Sequence, residues 1–449
     1  MAKVRVEFRC DECGAAAPQW SGKCPSCGEW NTLRESTTPV RVAARVATIE
    51  PAVPVVDVDM AEWKARPTGI SELDRVLAGG VVPGSVTLLG GEPGVGKSTL
   101  LTQVAATMAG DGARVLYVSA EESSQQVRLR AERLGALAPT MWLAAETDLV
   151  NIVSHLDAVR PDVVIVDSIQ AVHDPDIGSA PGSIVQVREC AHRFVREAKE
   201  RGVAIVLVGH VTKDGALAGP RVLEHVVDTV LSFEGEHHHA LRLVRAVKHR
   251  FGSTNEVGLF EMGDVGLVPV PDASALFLAD RRPGVPGSTV VPALDGHRPL
   301  LVEVQALTIS TNAPMARRSA QGLDAGRLAF LLAVLERHAE LEITGNDVFA
   351  LAVGGARVVE PGADLAIALA VASSLVDVAL PDDFVACAEL GLGGELRQVS
   401  QTPRRLAEAA RLGFTRVLLP HSAPEPPCGL TGVRAATIGE AITLAGLEP

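Results

Sequence analysis

Aromatic side chains are scarce: the 449-residue chain has ten phenylalanines, four tryptophans and one tyrosine, 3% in all. Any core must therefore be filled by the prominent Ala, Val and Leu. A basic balance is lacking too, since the formal net charge is -13. That argues against a surface that binds nucleic acid everywhere, but leaves room for a local basic channel. No apolar run reaches membrane length. The longest, Leu365–Val376, is closed by Asp364 and Asp377 and reads as a buried helix. The opening "MAKVRVEFRC" has no apolar core for a signal peptide, so export is not expected. Short-period internal repeats are also missing.

What is present fits a globular α/β protein: 47% hydrophobic and 21% charged residues. The length implies about two to four domains. Composition shifts divide the chain into a Cys- and Trp-rich module (1–35), a Pro/Val/Ala linker (36–60), a region of alternating strands and helices (61–270) and a last region (271–449). In the third, "SVTLLGG", "RVLYVSA", "DVVIVDS" and "VAIVLVGH" are short aliphatic runs, the pattern of a mostly parallel, covered sheet. In the last, residues 287–308 read as strands, 323–339 and 362–378 as helices, and "FTRVLLP" as one more strand.

Four of the seven cysteines lie in the first 27 residues. Cys10, Cys13, Cys24 and Cys27 form two C-x-x-C knuckles, and four thiolates complete a closed, structural zinc site. Trp20 and Trp30 are expected to cover its small core. A module of this size needs its metal to fold.

"GGEPGVGKST" matches G-x-x-x-x-G-K-[ST] from Gly91 to Ser98, between a strand and a helix. Such a loop (Gly91, Glu92, Pro93, Gly94, Val95, Gly96, Lys97, Ser98, Thr99) turns backbone N–H groups toward phosphates. Lys97 then reaches the β/γ-phosphates and Ser98 holds Mg²⁺. The cofactor called for is ATP with Mg²⁺. Asp167, ending the apolar run Val163–Val166, supplies a second carboxylate for the magnesium ion. Glu121 is the candidate general base, with Glu122 its rival. His210 either senses the γ-phosphate or closes its strand with a hydrogen bond.

These stretches, with "TGISELDRVLAGG", "YVSAEES", "VDSIQ" and "GHVTKDGALAGPRVLEHVVDTVL", resemble the RecA/KaiC/DnaB class of ATPases. With "KHRFG" and the four-cysteine module, nearly the whole chain is similar to the bacterial RadA (Sms) family. The resemblance implies a cytoplasmic DNA-dependent ATPase, a homohexameric branch-migration helicase acting on single-stranded DNA and branched intermediates in homologous recombination and DNA repair, beside a RecA-type recombinase. It maps the family's K-N-R-F-G motif onto Lys248, Arg250, Phe251 and Gly252, with His249 in place of Asn. It also implies DNA-facing loops at 173–183 and 213–221, the latter with Lys213 and Arg221. "AVKHRFGSTNEVG" is expected to follow the last core strands, at an edge where Lys248 and Arg250 meet a neighbour's γ-phosphate, DNA, or one each.

The last region is similar to the proteolytic domain of Lon, through "EPGADLAIALAVASS" and "GELRQVSQTPRRLAEAARLGFTRVLLP". Its serine and lysine positions fall on Gly362 and Pro403, so protease chemistry is not expected. Ser373 and Ser374 read as packing or back-bonding hydroxyls. Arg404, Arg405 and Arg411 share one helix and could line a basic face. The expected fold is thus a RecA-like P-loop ATPase core with an N-terminal zinc ribbon and a C-terminal, catalytically degenerate Lon protease-like α+β domain. The rivals are a KaiC-like switch without DNA binding and an ATP-dependent protease; "KHRFG" and the cysteines disfavour the first, Gly362 and Pro403 the second.

Overall fold

The structure is a computed structural model that describes residues 7–10, 12, 15–36, 53–57, 64–210, 222–235, 241–313 and 315–447. They fall into two compact units, Met1–Pro271 and Asp272–Pro449. The first opens with a small antiparallel sheet of β1 (Glu7–Cys10), β2 (Ala16–Ala17) and β3 (Leu33–Ser36). Its core consists of Cys10, Ala17, Cys24 and Leu33, with Phe8 and Ala15 packed on it.

After α1 (Ser71–Val76), strands and helices alternate: β4 (Val86–Gly91), α2 (Lys97–Gly110), β5 (Val115–Ser119), α3 (Ser124–Arg133), β6 (Met141–Ala145), α4 (Leu149–Val159), β7 (Val163–Asp167), α5 (Ile184–Arg201) and β8 (Ala204–His210). Then come α6 (Val222–Val226), β9 (Thr229–Glu234), β10 (Leu241–His249), β11 (Val257–Gly263) and β12 (Gly266–Pro269). Sheet order is β12-β11-β10-β9-β4-β8-β7-β5-β6. The aliphatic strands β4, β5 and β7 are buried along their whole length, because helices cover both faces of a parallel sheet. Two of the unit's helix starts show the caps that their sequences dictate. Ser123 and Gln126 form a capping box on α3, and Asp148 accepts from the Val150 N–H on α4.

The parallel pattern expected from sequence holds from β9 to β6 but not beyond. Strands β10, β11 and β12 extend the sheet antiparallel. The "KHRFG" stretch therefore does not follow the last core strands: Lys248 pairs with Val230 and His249 with Thr229 inside β10, beyond a bulge at Ala246/Lys248, and two strands come after. Cations at every third position of "LRLVRAVKH", Arg242, Arg245 and Lys248, fall on both faces and hide a strand whose buried positions alternate.

The second unit holds α7 (Ala273–Leu278), β13 (Ser288–Asp295), β14 (Arg298–Ser310), β15 (Arg318–Gln321), α8 (Ala325–His338), β16 (Asn346–Ala352) and α9 (Asp364–Val376). It continues with β17 (Phe384–Ala386), β18 (Glu389–Leu390), β19 (Leu396–Arg397), α10 (Thr402–Arg411), β20 (Arg416–Pro420), β21 (Thr431–Ala435) and α11 (Ile438–Leu444). Seven strands form one mixed sheet, β15-β16-β14-β13-β17-β20-β21. Helix α9, the apolar run noted in the sequence, is buried from Asp364 to Ser373. Among the described residues no helix is long and apolar enough to cross a membrane.

Candidate nucleotide site and metal centre

Parallel strands bring their carboxyl ends to one edge of the sheet, where α/β folds place ligands. Register pairs Gly91 with His210 and Ser119 with Asp167, so the glycine-rich loop, the Glu121 turn and Asp167 gather there. Gly96 caps the start of α2 at φ 116°, a left-handed conformation that favours glycine, and a Cβ on it would lie 2.7 Å from the movable Met262 Cε. The loop is also held from outside: the buried Arg242 donates from Nε to the Val95 carbonyl at 3.1 Å. Gln103 of α2 exchanges hydrogen bonds with Leu267 of β12, so the antiparallel extension braces the loop's helix.

Lys97 is buried, and its ammonium donates to the carbonyls of Gly91 at 2.7 Å and Glu92 at 2.9 Å. Burial lowers its pKa, opposed by the negative charges of Asp167 and Glu121. Those two carboxylates thus act on the loop lysine together. Asp167 Oδ2 accepts from the Tyr117 hydroxyl at 2.7 Å, and Glu121 accepts from the Ser168 hydroxyl. Glu122 has another occupation. Its carboxylate pairs with Arg130 at 2.5 Å, while its N–H and carbonyl both bond the Ser119 hydroxyl. Of the two rival bases, Glu121 is the one brought toward Lys97.

In the N-terminal module the sulfurs of Cys10, Cys24 and Cys27 all lie within 4.8 Å of one another, with Cys10 and Cys27 3.6 Å apart. Four thiolates around zinc at about 2.3 Å place neighbouring sulfurs about 3.8 Å apart, so this donor set fits a closed tetrahedral site. The tryptophans do not cover that core as expected: Trp20 is 59% and Trp30 68% exposed. A thiolate cluster this small leaves no interior for an indole, and Trp30 lies instead under the Lys23 ammonium, 5.8 Å from its ring centroid.

Cys13, Lys213, Arg221 and the His210 side chain lie outside the described residues. The segment 173–183 is described, and carries Asp174 and Asp176 but no lysine or arginine. It is tied down by the buried Gln186, whose amide nitrogen donates to the carbonyls of Asp174, Ile177 and Ser179. Arg250 reaches Asp228 Oδ1 at 3.1 Å and remains 53% exposed, whereas the half-buried Lys248 turns inward onto backbone carbonyls. His249 bonds the Thr229 hydroxyl at 2.9 Å and meets Phe251 edge to face.

Family models match in three places: an AAA domain over residues 50–216, a rubredoxin metal binding domain over 8–35, and subunit ChlI of Mg-chelatase over 348–423. The DNA repair protein RadA of Mycolicibacterium smegmatis is 48% identical, over 98% of this chain and 97% of that protein. Those of Listeria monocytogenes and Bacillus subtilis are 47% and 45% identical, each over 98% of this chain and over 98% and 99% of their own lengths. The chain belongs to the RadA family.

The RadA fold here is α/β: a RecA-like P-loop core, an N-terminal zinc ribbon and a C-terminal Lon protease-like α+β domain. In that last domain the expected basic face on α10 is absent. Arg405 is fully buried, donating to Glu360, to the Pro292 carbonyl at 2.9 Å and to the Ser400 carbonyl at 3.0 Å. Arg411 is held by Asp272 and Glu408, and Arg404 reaches the His297 carbonyl at 3.3 Å. Arg404 and Arg411, two helical turns apart, share the outer side, whereas Arg405, about 100° round the helix, packs inward. Gly362 lies against the same guanidinium, and Pro403 sits in the first turn of α10, where a missing N–H is tolerated. Ser373 and Ser374 accept from the N–H groups of Gly287 and Thr308, tying α9 to the sheet.

Proposed function

We infer that the chain is an ATP-hydrolysing motor that binds single-stranded DNA and moves branched recombination intermediates in homologous recombination and DNA repair. One observation carries this reading: Lys97, Glu121 and Asp167 converge at a glycine-rich strand–loop–helix, in a chain whose relatives are named DNA repair proteins. Loop residues 91–99 would cradle the triphosphate, with Ser98 and Asp167 holding Mg²⁺, which neutralises charge on the β- and γ-phosphates. Lys97 would exchange its loop carbonyls for phosphate oxygens. Glu121 would orient and deprotonate the attacking water. Arg250, exposed on one copy, is the cation suited to reach the nucleotide of the next copy in a homohexamer, making hydrolysis depend on assembly.

The DNA path would use Lys213 and Arg221, with Lys248 acting through the chain behind them. Four cysteines would hold one zinc ion. The division 1–35, 36–60, 61–270 and 271–449, a cytoplasmic site of action and a RecA-type recombinase as partner belong to the same proposal. ATP hydrolysis by the full chain should rise on addition of single-stranded DNA, and a branched substrate should be resolved only with ATP. Hydrolysis indifferent to DNA would point to a nucleotide switch and end the motor reading.

A further inference from the structure

The chain's sole tyrosine is fully buried beside the candidate nucleotide site. Side chains alternate along a strand, so Tyr117 and Ser119 of β5 share a face with Ile165 and Asp167 of β7. The phenol thus reaches one register step along the neighbouring strand to donate to Asp167 Oδ2 at 2.7 Å. A phenol keeps its proton near neutral pH, so it is the donor to the carboxylate. A packing role alone would be met by phenylalanine, which leaves no hydroxyl to satisfy in the interior.

Behind the phenol sits Arg130 of α3, and its guanidinium has three destinations. Nη2 approaches the Tyr117 hydroxyl at 3.4 Å, Nη1 pairs with Glu122, and Nε donates to the Thr102 hydroxyl at 3.3 Å. Thr102 in turn donates to the Ser98 carbonyl at 2.7 Å, at the start of the loop's helix. One arginine therefore joins the helix that bears Ser98, the turn that bears Glu121 and Glu122, and the phenol on Asp167. A carboxylate has two oxygens; with Oδ2 engaged by the phenol, Oδ1 would be the one to meet a cation or its water.

We propose that Tyr117 is a positioning residue that presents Asp167 to the divalent cation of the bound nucleotide, with Arg130 fixing the phenol against the phosphate-loop helix. The proposal rests on the reading of Gly91–Ser98 as the ATP site. Groups that orient a metal-binding carboxylate are worth roughly 10- to 100-fold in metal affinity.

The test uses the full chain and a fluorescent, non-hydrolysable ATP analogue. Tyr117→Phe should bind the analogue as wild type does in excess chelator, while the Mg²⁺ concentration that half-maximally tightens binding rises roughly 10- to 100-fold. Superimposable Mg²⁺ titrations would overturn the proposal. Because there is only one tyrosine, ring-fluorinated tyrosine in the otherwise wild-type chain gives one resonance, which should move when Mg²⁺ joins the analogue complex; a line that does not respond overturns the proposal even if the Phe variant fails to fold. Lys97→Ala separates the two ideas. If it binds the analogue normally, the nucleotide reading itself falls; if it loses binding while Tyr117→Phe titrates like wild type, only the role of Tyr117 falls.

Discussion

Lys248 Nζ donates to the Val227 carbonyl at 2.7 Å, and the same ammonium reaches the Glu224 carbonyl at 2.6 Å. Both oxygens lie at the C-terminal end of α6, where helix carbonyls lack intrahelical partners and cations are favoured. Burial, and then the Arg250 charge, lower the pKa of this lysine, opposed by the charges of Asp228 and Glu224. Helix α6 directly follows the segment expected to face DNA, 213–221. Lys248 thus grips the chain behind that loop.

Lys248→Ala should therefore uncouple rather than inactivate. Losing a charged donor to two carbonyls costs roughly 1.5–3 kcal/mol of local stability. Basal ATP hydrolysis should persist while its stimulation by single-stranded DNA disappears. A variant that keeps full stimulation would remove Lys248 from the DNA-coupled path.

Arg250→Ala should behave differently. Its guanidinium is half exposed beside Asp228, whose other oxygen accepts from the Val86 N–H at the start of the loop strand. Asp228 keeps that backbone bond in the variant, so nucleotide binding should survive. Hydrolysis should fall steeply, and small amounts of the Ala variant mixed into wild-type chains should suppress the activity of the mixture. Activity that scales only with the wild-type fraction would mean that the arginine acts within its own subunit.

What the sequence made legible depended on range. The Gly91–Ser98 loop could be read because its chemistry is written in eight consecutive residues, and strands such as Val163–Asp167 because an unbroken aliphatic run has few other uses. Glu121 and Glu122 could not be separated, since the choice is made by Arg130 on the following helix. Tyr117 escaped notice because its partner is 50 positions away and pairs through sheet register alone. The inward turn of Lys248 and of Arg405 was not legible for one reason: a cation in an amphipathic pattern reads as solvent-facing, and only the fold reveals carbonyls or a carboxylate waiting inside.

Removing the metal should dissolve the N-terminal module and leave the ATPase core. Its core, Cys10, Ala17, Cys24 and Leu33, is half thiol, too small to hold three short strands without ligation. Cys10→Ser with Cys24→Ser should abolish stoichiometric zinc, measured by elemental analysis, and expose residues 7–36 to protease while nucleotide binding persists. Retained protease resistance without zinc would sink this.

Acid should release one specific support of the second unit. Arg416 and the Thr415 hydroxyl hold the Asp383 carboxylate down to a pKa of about 2, below its value in an unfolded chain. A depressed carboxylate contributes stability above the unfolded pKa and loses it as pH falls through the folded one. Asp383→Asn should therefore lower the melting temperature at pH 7 but match wild type near pH 2. The pair is largely exposed, so the difference should be small and shrink in salt. A difference that does not change with pH would mean that the loss does not come from the carboxylate's charge.

Restoring a serine and a lysine at the protease-like positions should fail to restore a protease. A Cβ on Gly362 would lie 2.9 Å from Arg405 Nη1 and 3.3 Å from Glu360 Oε2, inside space already taken by a buried ion pair. Glu360 is doubly committed, since it also accepts from the Leu294 N–H at 2.6 Å on the adjacent strand. The pair has become a strut between α10 and β13. Arg405→Leu leaves that carboxylate uncompensated and should destabilise the unit by about 3–5 kcal/mol, whereas Arg405→Leu with Glu360→Leu should recover much of the loss. Urea unfolding of the three variants measures both effects. Gly362→Ser with Pro403→Lys should show no peptide hydrolysis and an earlier unfolding transition, because the serine displaces the strut instead of joining a dyad; hydrolysis by that variant would mean the guanidinium yields its place.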